Sequence, residues 1–272
     1  MPASEVVVDP KEAAEQLAAA VREAGGLAHA MFQKPLKNWT KGTTSSPVSE
    51  ADIAVDALLR EKLSAHGGAR FGWLSEESAD DASRLAARYV WIVDPIDGTR
   101  AYIGGFSDWA VSAALVDSGR PIAACLYAPA LGEFFVAAAG HGATLNGAPI
   151  AVAPGGSLAQ ARIAGPRAVL ERLAAVAPPF EVMPRLRSLA LRLARVAQGS
   201  FDAAIAGGNS HDWDLAAADL LVHEAGGALT AFGGAAVIYN SAVPRHGMLV
   251  AAGRARHATL IELFGDERLA SS

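Results

Sequence analysis

The stretch Trp91-Ile92-Val93-Asp94-Pro95-Ile96-Asp97-Gly98-Thr99 runs an apolar segment straight into two aspartates that flank a proline. Trp, Ile and Val in succession suit a buried strand. Pro95 holds φ near one value and has no N–H, so the chain is expected to turn there. Such a turn gathers both carboxylates on one side of the strand end. Gly98 permits a ligand to approach the backbone closely, and Thr99 places a hydroxyl beside it. An Asp-rich turn that caps its own backbone has the same composition. The segment alone leaves both readings open.

Working outward, Leu74-Ser75-Glu76-Glu77 also places acids at the end of an apolar run, and Asp212-Trp213-Asp214 opens a helix that ends in Glu224-Ala225-Gly226-Gly227. Each has an ordinary explanation: a solvated pair of glutamates, and aspartates that cap a helix start. Together they place several carboxylates at strand and helix ends. That set repels itself unless protons or cations neutralise it. Oxygen ligands without Cys or clustered His select Mg²⁺, Mn²⁺ or Ca²⁺ over zinc. The formal net charge of −5 leaves no basic footprint for a nucleic-acid polymer. It also repels a phosphorylated small molecule unless something cationic sits at the site, which bound Mg²⁺ would supply.

The 272 residues, 51% hydrophobic and 19% charged, hold ample material for a core and argue against extended disorder. A single cysteine, Cys125, excludes an intrachain disulfide and a cysteine-type zinc cluster, and its apolar strand assigns it to the core. The polar, acidic segment Met1–Lys11 is unlike a secretory signal, and no apolar run reaches the ~18 residues of a membrane span. A soluble cytoplasmic protein with no membrane partner is the expectation.

Apolar spacing predicts a helix over residues 11–31, and Lys34–Pro47 reads as a loop or loose hairpin. Ser49 reads as the cap of a helix carrying Val55, Leu59 and Leu63, with Asp52 as the acidic member of a capping box and His66-Gly67-Gly68 as its end. Strands are expected at Phe71–Leu74, Tyr89–Val93, Ala110–Val116, Ile122–Tyr127 and Glu133–Ala138, in an antiparallel meander. After a junction at Ala153–Ser157, helices are expected at Ser188–Gln198, Leu215–Ala225 and His257–Phe264, and strands at Phe201–Ala206, Ala228–Thr230 and Met248–Ala252. The division is residues 1–153, an α+β unit with most metal ligands, and 154–272, an α/β unit supplying Asp214 and substrate contacts.

Glu76-Glu77, Asp94-Pro95-Ile96-Asp97-Gly98-Thr99 and Trp213-Asp214 with Glu224-Ala225-Gly226-Gly227, in this order between Lys41 and Ala252, resemble the inositol monophosphatase superfamily. The resemblance implies an α/β (α+β) chain folded as a layered αβαβα sandwich of the sugar-phosphatase type. It implies hydrolysis of a small phosphate ester assisted by two or three Mg²⁺, with Mn²⁺ as a substitute, inhibition by Li⁺, and a homodimer. It makes Glu76, Asp94, the Ile96 carbonyl, Asp97 and Asp214 the metal ligands, and Glu76, Thr99 and Asp52 the groups that handle the attacking water. Substrate contacts would come from Asp97, Gly98, Thr99, Lys41, Arg192 and His211. The role of Glu77, which matches the second family glutamate, stays open.

The branch of the superfamily is less sharply marked. Inositol monophosphatases often carry an acid seven positions before the last metal aspartate, where this chain has Gly207. Arg192, ahead of Val196-Ala197-Gln198-Gly199, falls where bacterial bisphosphate nucleotidases often have a lysine. It also reads as a solvent-facing arginine beside Arg185, Arg187 and Arg195. Asp97–Tyr102 resembles the histidinol-phosphatase version of the loop, and His211 either reaches the substrate or caps a helix. A 3'(2'),5'-bisphosphate nucleotidase leads, then inositol-1-monophosphatase, then histidinol-phosphatase. The alternatives of another class are a metal-binding scaffold, a two-metal nuclease and a Ca²⁺-stabilised module. A dead scaffold would have lost metal ligands, and none is missing.

Overall fold

The computed structural model describes residues 7–41, 46–67 and 71–265. The start of the Met1–Lys11 segment, part of the Lys34–Pro47 stretch and Gly68 lie outside the described residues.

Helix α1 (Pro10–Met31) starts at Asp9, whose carboxylate accepts from the N–H groups of Lys11 and Glu12. The polar stretch after it is a hairpin, β1 (Asn38–Lys41) antiparallel to β2 (Ser46–Ser49), which delivers Lys41 to the site. Helix α2 (Glu50–Gly67) begins at the capping box: Asp52 Oδ2 accepts from the Ser49 N–H at 2.8 Å, and the Ser49 hydroxyl accepts from the Ala51 N–H at 3.2 Å.

A seven-stranded sheet follows. Its strands are β3 (Phe71–Ser75), β4 (Tyr89–Asp97), β5 (Ala110–Asp117), β6 (Arg120–Ala128), β7 (Glu133–Ala138), β8 (Ala143–Leu145) and β9 (Ala148–Pro149). They lie in sequence order, β3 and β4 parallel and the rest antiparallel. The chain does not turn at Pro95. β4 continues to Asp97, and the register against β5 shifts between Asp94 and Asp97. That bulge absorbs the proline, which cannot donate to the ladder, and re-aims the aspartates as a turn would have done. The short helix α3 (Thr99–Ile103) leaves the strand end.

The second sheet takes β10 (Arg162–Ala164), β11 (Glu181–Val182), β12 (Ala203–Ala206), β14 (Gly227–Ala231) and β16 (Leu249–Gly253), in the order β11-β10-β12-β16-β14. Between these strands run α4 (Arg167–Ala174), α5 (Leu189–Ala197) and α6 (Asp212–Glu224), and α7 (Arg254–Gly265) follows β16. The remaining pair, β13 (Ser210–His211) with β15 (Arg245–His246), fastens the approach to α6.

The layering follows from alternation along the strands. Trp91 and Val93 of β4 pack with Leu17, Val21, Leu59 and Leu63 of α1 and α2. Val90 and Ile92 face the other way, into a core shared with Leu191 and Leu193 of α5 and Leu215 and Leu221 of α6. In β12, Ala204 and Ala206 join that central core, while Ala203 and Ile205 pack outward against Leu170 and Leu173 of α4 and Leu260 of α7. The chain is therefore a helix–sheet–helix–sheet–helix sandwich. Cys125 is buried in the layer beneath α1.

Candidate active site

The carboxylates converge where β3 and β4 end and α6 begins. Oxygens of Asp94, Asp97 and Asp214 all lie within 4.8 Å of one another. Each aspartate has one oxygen held by the protein. Asp94 Oδ1 accepts from the Ile96 N–H at 3.0 Å, and Asp214 Oδ2 from the His211 N–H at 2.6 Å. Asp97 Oδ2 accepts from the Ser188 hydroxyl at 2.5 Å and the Ala190 N–H at 2.6 Å, so it sits on the N-terminal turn of α5. The second oxygens of Asp94 and Asp214 take no protein donor among the described residues.

Burial and mutual repulsion set the electrostatics. Burial first, then the charges of Asp214 and Glu77, push Glu76 up to about 8. Burial and Asp97 push Asp214 up to about 7. Asp94 is raised well above the carboxylate range by burial and by Glu76, Asp97 and Asp214. Asp97 is raised by burial, which outweighs its donors. Acids this concentrated either hold protons or share hard cations. The donor set is all oxygen, some of those oxygens are unclaimed, and the cluster opens to a large cleft. It fits divalent metal ions of the Mg²⁺ type.

Around the cluster lie the other expected groups. The Thr99 hydroxyl is 3.1 Å from Asp52 Oδ1 and 3.1 Å from the Ile96 carbonyl. Asp52 is buried and raised by burial, and the Ser49 hydroxyl donates to its other oxygen at 2.6 Å. Gly98 adopts φ +92°, and a Cβ there would come within 3.1 Å of the Asp108 carbonyl, so only glycine joins β4 to α3 in this way. The N–H groups of Gly98 and Thr99 find no acceptor among the described residues. The Lys41 ammonium donates to the Glu76 carbonyl at 2.8 Å and contacts the Glu77 carboxylate, which is thereby given a partner.

His211 is the N-cap residue of α6 and lines the cleft, its ring stacked flat on Trp213 at 4.6 Å between centroids. Burial lowers its pKa, favouring the neutral ring. Arg192 is elsewhere: it lines a neighbouring cavity, and its guanidinium donates to the Leu186 carbonyl at 2.7 Å.

The cleft, about 1160 Å³, is lined by the acids and also by Arg100, Arg185, Arg187 and Arg245. Arg187 pairs with Asp108 at 3.1 Å. Arg100, Arg185 and Arg245 are exposed and form no ion pair with a described carboxylate. None of these four arginines is marked as a contact by the sequence, because nothing local separates a rim arginine from a solvated one. Nor does the sequence mark Ser188 as a partner of Asp97, or Asp212. The latter is fully buried and accepts from the Asn240 N–H at 2.7 Å, with His246 Nε2 at 2.6 Å, anchoring the start of α6.

Two packed α/β layers with a carboxylate cluster at strand and helix ends define a class of layered, metal-binding hydrolase folds. The profile of the Inositol monophosphatase family matches residues 9–268, and the chain belongs to that family. The chain is 34% identical to the inositol-1-monophosphatase of Rhizobium meliloti over 192 residues, 66% of this chain and 70% of the relative. It is 34% identical to the histidinol-phosphatase of Mycobacterium tuberculosis over 219 residues, 75% and 82% of the two chains. The crystal structure of the extragenic suppressor protein suhB from Bartonella henselae superposes with a TM-score of 0.81 at 28% identity, covering 94% of this chain and 99% of that one. As a member of this family the chain is a phosphoric monoester hydrolase.

Proposed function

We propose that the chain is a Mg²⁺-dependent, Li⁺-sensitive phosphomonoesterase whose preferred substrate carries a second anionic group, as a 3'(2'),5'-bisphosphate nucleotide does. The observation that carries the metal-assisted chemistry is the convergence of Asp94, Asp97 and Asp214 within 4.8 Å at the floor of a cleft. Mg²⁺ held by these three with Glu76 and the Ile96 carbonyl would screen the phosphate's charge, acidify a water and offset charge on the leaving oxygen. Mn²⁺ has the same ligand preferences.

The chain's own groups do the rest. Asp52, fixed through Ser49 and α2, keeps an oxygen on the Thr99 hydroxyl. That pair orients the attacking water and receives its proton. The free N–H groups of Gly98 and Thr99 bind oxygens of the phosphate. Glu76, just past the end of β3, is held by its N–H on the Val93 carbonyl and by Lys41 on its own carbonyl, and it lines the same cleft.

Support for a polyanionic substrate comes from the rim. Once metals have balanced the acids, Arg100, Arg185 and Arg245 remain as cations with no carboxylate to satisfy them. A second phosphate satisfies them. Histidinol phosphate, whose amine is cationic, is repelled by the same rim. Inositol-1-phosphate is the second reading, favoured by the relative in Rhizobium meliloti. Its ring hydroxyls would lack an acidic partner at Gly207.

The test is phosphate release with Mg²⁺, with and without Li⁺, from 3'-phosphoadenosine 5'-phosphate, inositol-1-phosphate, fructose-1,6-bisphosphate and histidinol phosphate. The reading expects the first to have the highest kcat/KM, with loss of activity in Li⁺. A preference for histidinol phosphate would refute the charge argument. No release from any ester would refute the whole reading.

A further inference from the structure

Asp94, Asp97 and Asp214 each have one oxygen fixed by a donor of the protein, whereas the Glu76 carboxylate accepts from no donor among the described residues. Its place is therefore set by its backbone, in a turn just past the end of β3. A glutamate side chain has three rotatable bonds, so a loosely held backbone would spread its carboxylate over many positions.

Two serines near it prevent this. The Ser75 hydroxyl donates to Asp56 Oδ1 at 2.5 Å, and the Ser78 hydroxyl donates to Asp56 Oδ2 at 2.7 Å. The Ser75 hydroxyl also accepts from the Glu77 N–H at 3.2 Å, and the Ser78 hydroxyl from the Trp73 indole at 3.3 Å. One carboxylate thus closes both ends of the segment Ser75–Ser78, with Glu76 and Glu77 in its middle.

Asp56 is buried on α2, and hydroxyls occupy both its oxygens, so it stands apart from the acids that gather as metal ligands. It follows Asp52 by four positions, one turn further along the same face of the helix. Asp52 reaches the Thr99 hydroxyl at 3.1 Å. One rigid helix therefore fixes the water-handling pair and, about 6 Å along its axis, the turn that carries Glu76. Leu59 and Leu63 of that helix already pack it on the sheet, so joining the layers does not call for a buried acid.

We propose that Asp56 is the positioning residue of Glu76: it clamps Ser75 and Ser78 so that the Glu76 carboxylate meets a divalent metal at a fixed distance from Asp52 and Thr99. This rests on the metal-assisted reading above, and it assigns a role to a residue that touches neither metal nor substrate.

The test is calorimetric titration of the full chain with Mg²⁺. Asp56→Ala is expected to weaken binding about tenfold or more, as loss of a group that orients a metal ligand does. In a Glu76→Gln background the same change should cost less than about twofold, because the group it positions is already gone. Equal losses in both backgrounds, or no loss in the first, overturn the proposal. Ser78→Ala removes one of the two bonds from a half-buried position and decides by the same cycle should Asp56→Ala not fold. Hydrogen exchange gives a readout without metal. In either variant the Glu76 and Glu77 amides should lose about tenfold in protection while those of β4 keep theirs. Unchanged protection at both amides overturns the clamp. Exchange also decides where Glu76→Gln takes up no Mg²⁺. If the wild-type chain takes up none, the phosphatase reading fails by itself, and exchange still decides whether Asp56 holds the turn.

Discussion

On the acidic side of the cleft's lining, Asp94 and Asp97 are buried and Asp214 is half-buried, each with an oxygen pinned by a backbone or hydroxyl donor. On the basic side of that lining, Arg100, Arg185 and Arg245 are exposed and unpaired with any described carboxylate. The first side is bound into strand ends and helix starts, so it can change only with the fold. The second is a set of side chains on the surface of that frame, where substitution costs little stability. The reaction is thus written into the scaffold, and the choice of leaving group into its decoration. That difference also explains how relatives so similar to this chain can be named for different substrates.

The contrast makes its largest demand on Asp94. Asp94→Asn should lower kcat by about 10³-fold at saturating Mg²⁺, with an unchanged far-UV circular dichroism spectrum. A variant within tenfold of wild type would remove the carboxylate side from the chemistry. Thr99→Ala should cost about 10²-fold in kcat with little change in KM, since it removes a water-positioning hydroxyl rather than a substrate anchor. A KM-only effect would move Thr99 to the recognition side.

A third expectation concerns pH. Glu76 is pushed up to about 8 and Asp214 up to about 7 in the fold, against roughly 4 for exposed carboxylates. Between those limits the native state binds more protons than the unfolded chain, so metal-free stability falls as pH rises from about 4 through 8. Mg²⁺ replaces those protons and should flatten the slope. Its increase in Tm is therefore expected to be larger at pH 8 than at pH 6 by thermal melting, and an equal increase would contradict the shared-cation account. The smallest effect belongs to the rim. Arg185→Ala should raise KM for a bisphosphate nucleotide about two- to fivefold, and less at high salt. A collapse of kcat instead would erase the division between the two sides.

Much of this was legible in the chain itself. β4 announces its buried strand by composition, and the acids that follow it announce chemistry by sitting where acids are costly. The three long helices in front of and between the sheets show their apolar spacing plainly. What could not be read depends on partners far away in sequence. Strands of two or three residues, such as β9, β11, β13 and β15, have no periodicity and exist by pairing. α4 is short, and its apolar residues matter only because the second sheet lies beneath them. Ser188 reads as a helix cap, but its bond to Asp97 spans 91 positions. Arg192 looked like a contact of the cleft, and the turn of α5 on which it stands faces the neighbouring cavity instead.

One carboxylate ties these regions together. Asp97 ends β4 of the first sheet, and its Oδ2 also seats the opening turn of α5, through Ser188 and Ala190. A laboratory chimera that joined residues 1–153 of this chain to the second half of a relative would inherit the aspartate from one parent and its seat from the other. Such hybrids should work only where the incoming half brings a hydroxyl at the place of Ser188. In natural descent the same bond means that the two halves cannot diverge independently at this point, whatever happens to the arginines around them.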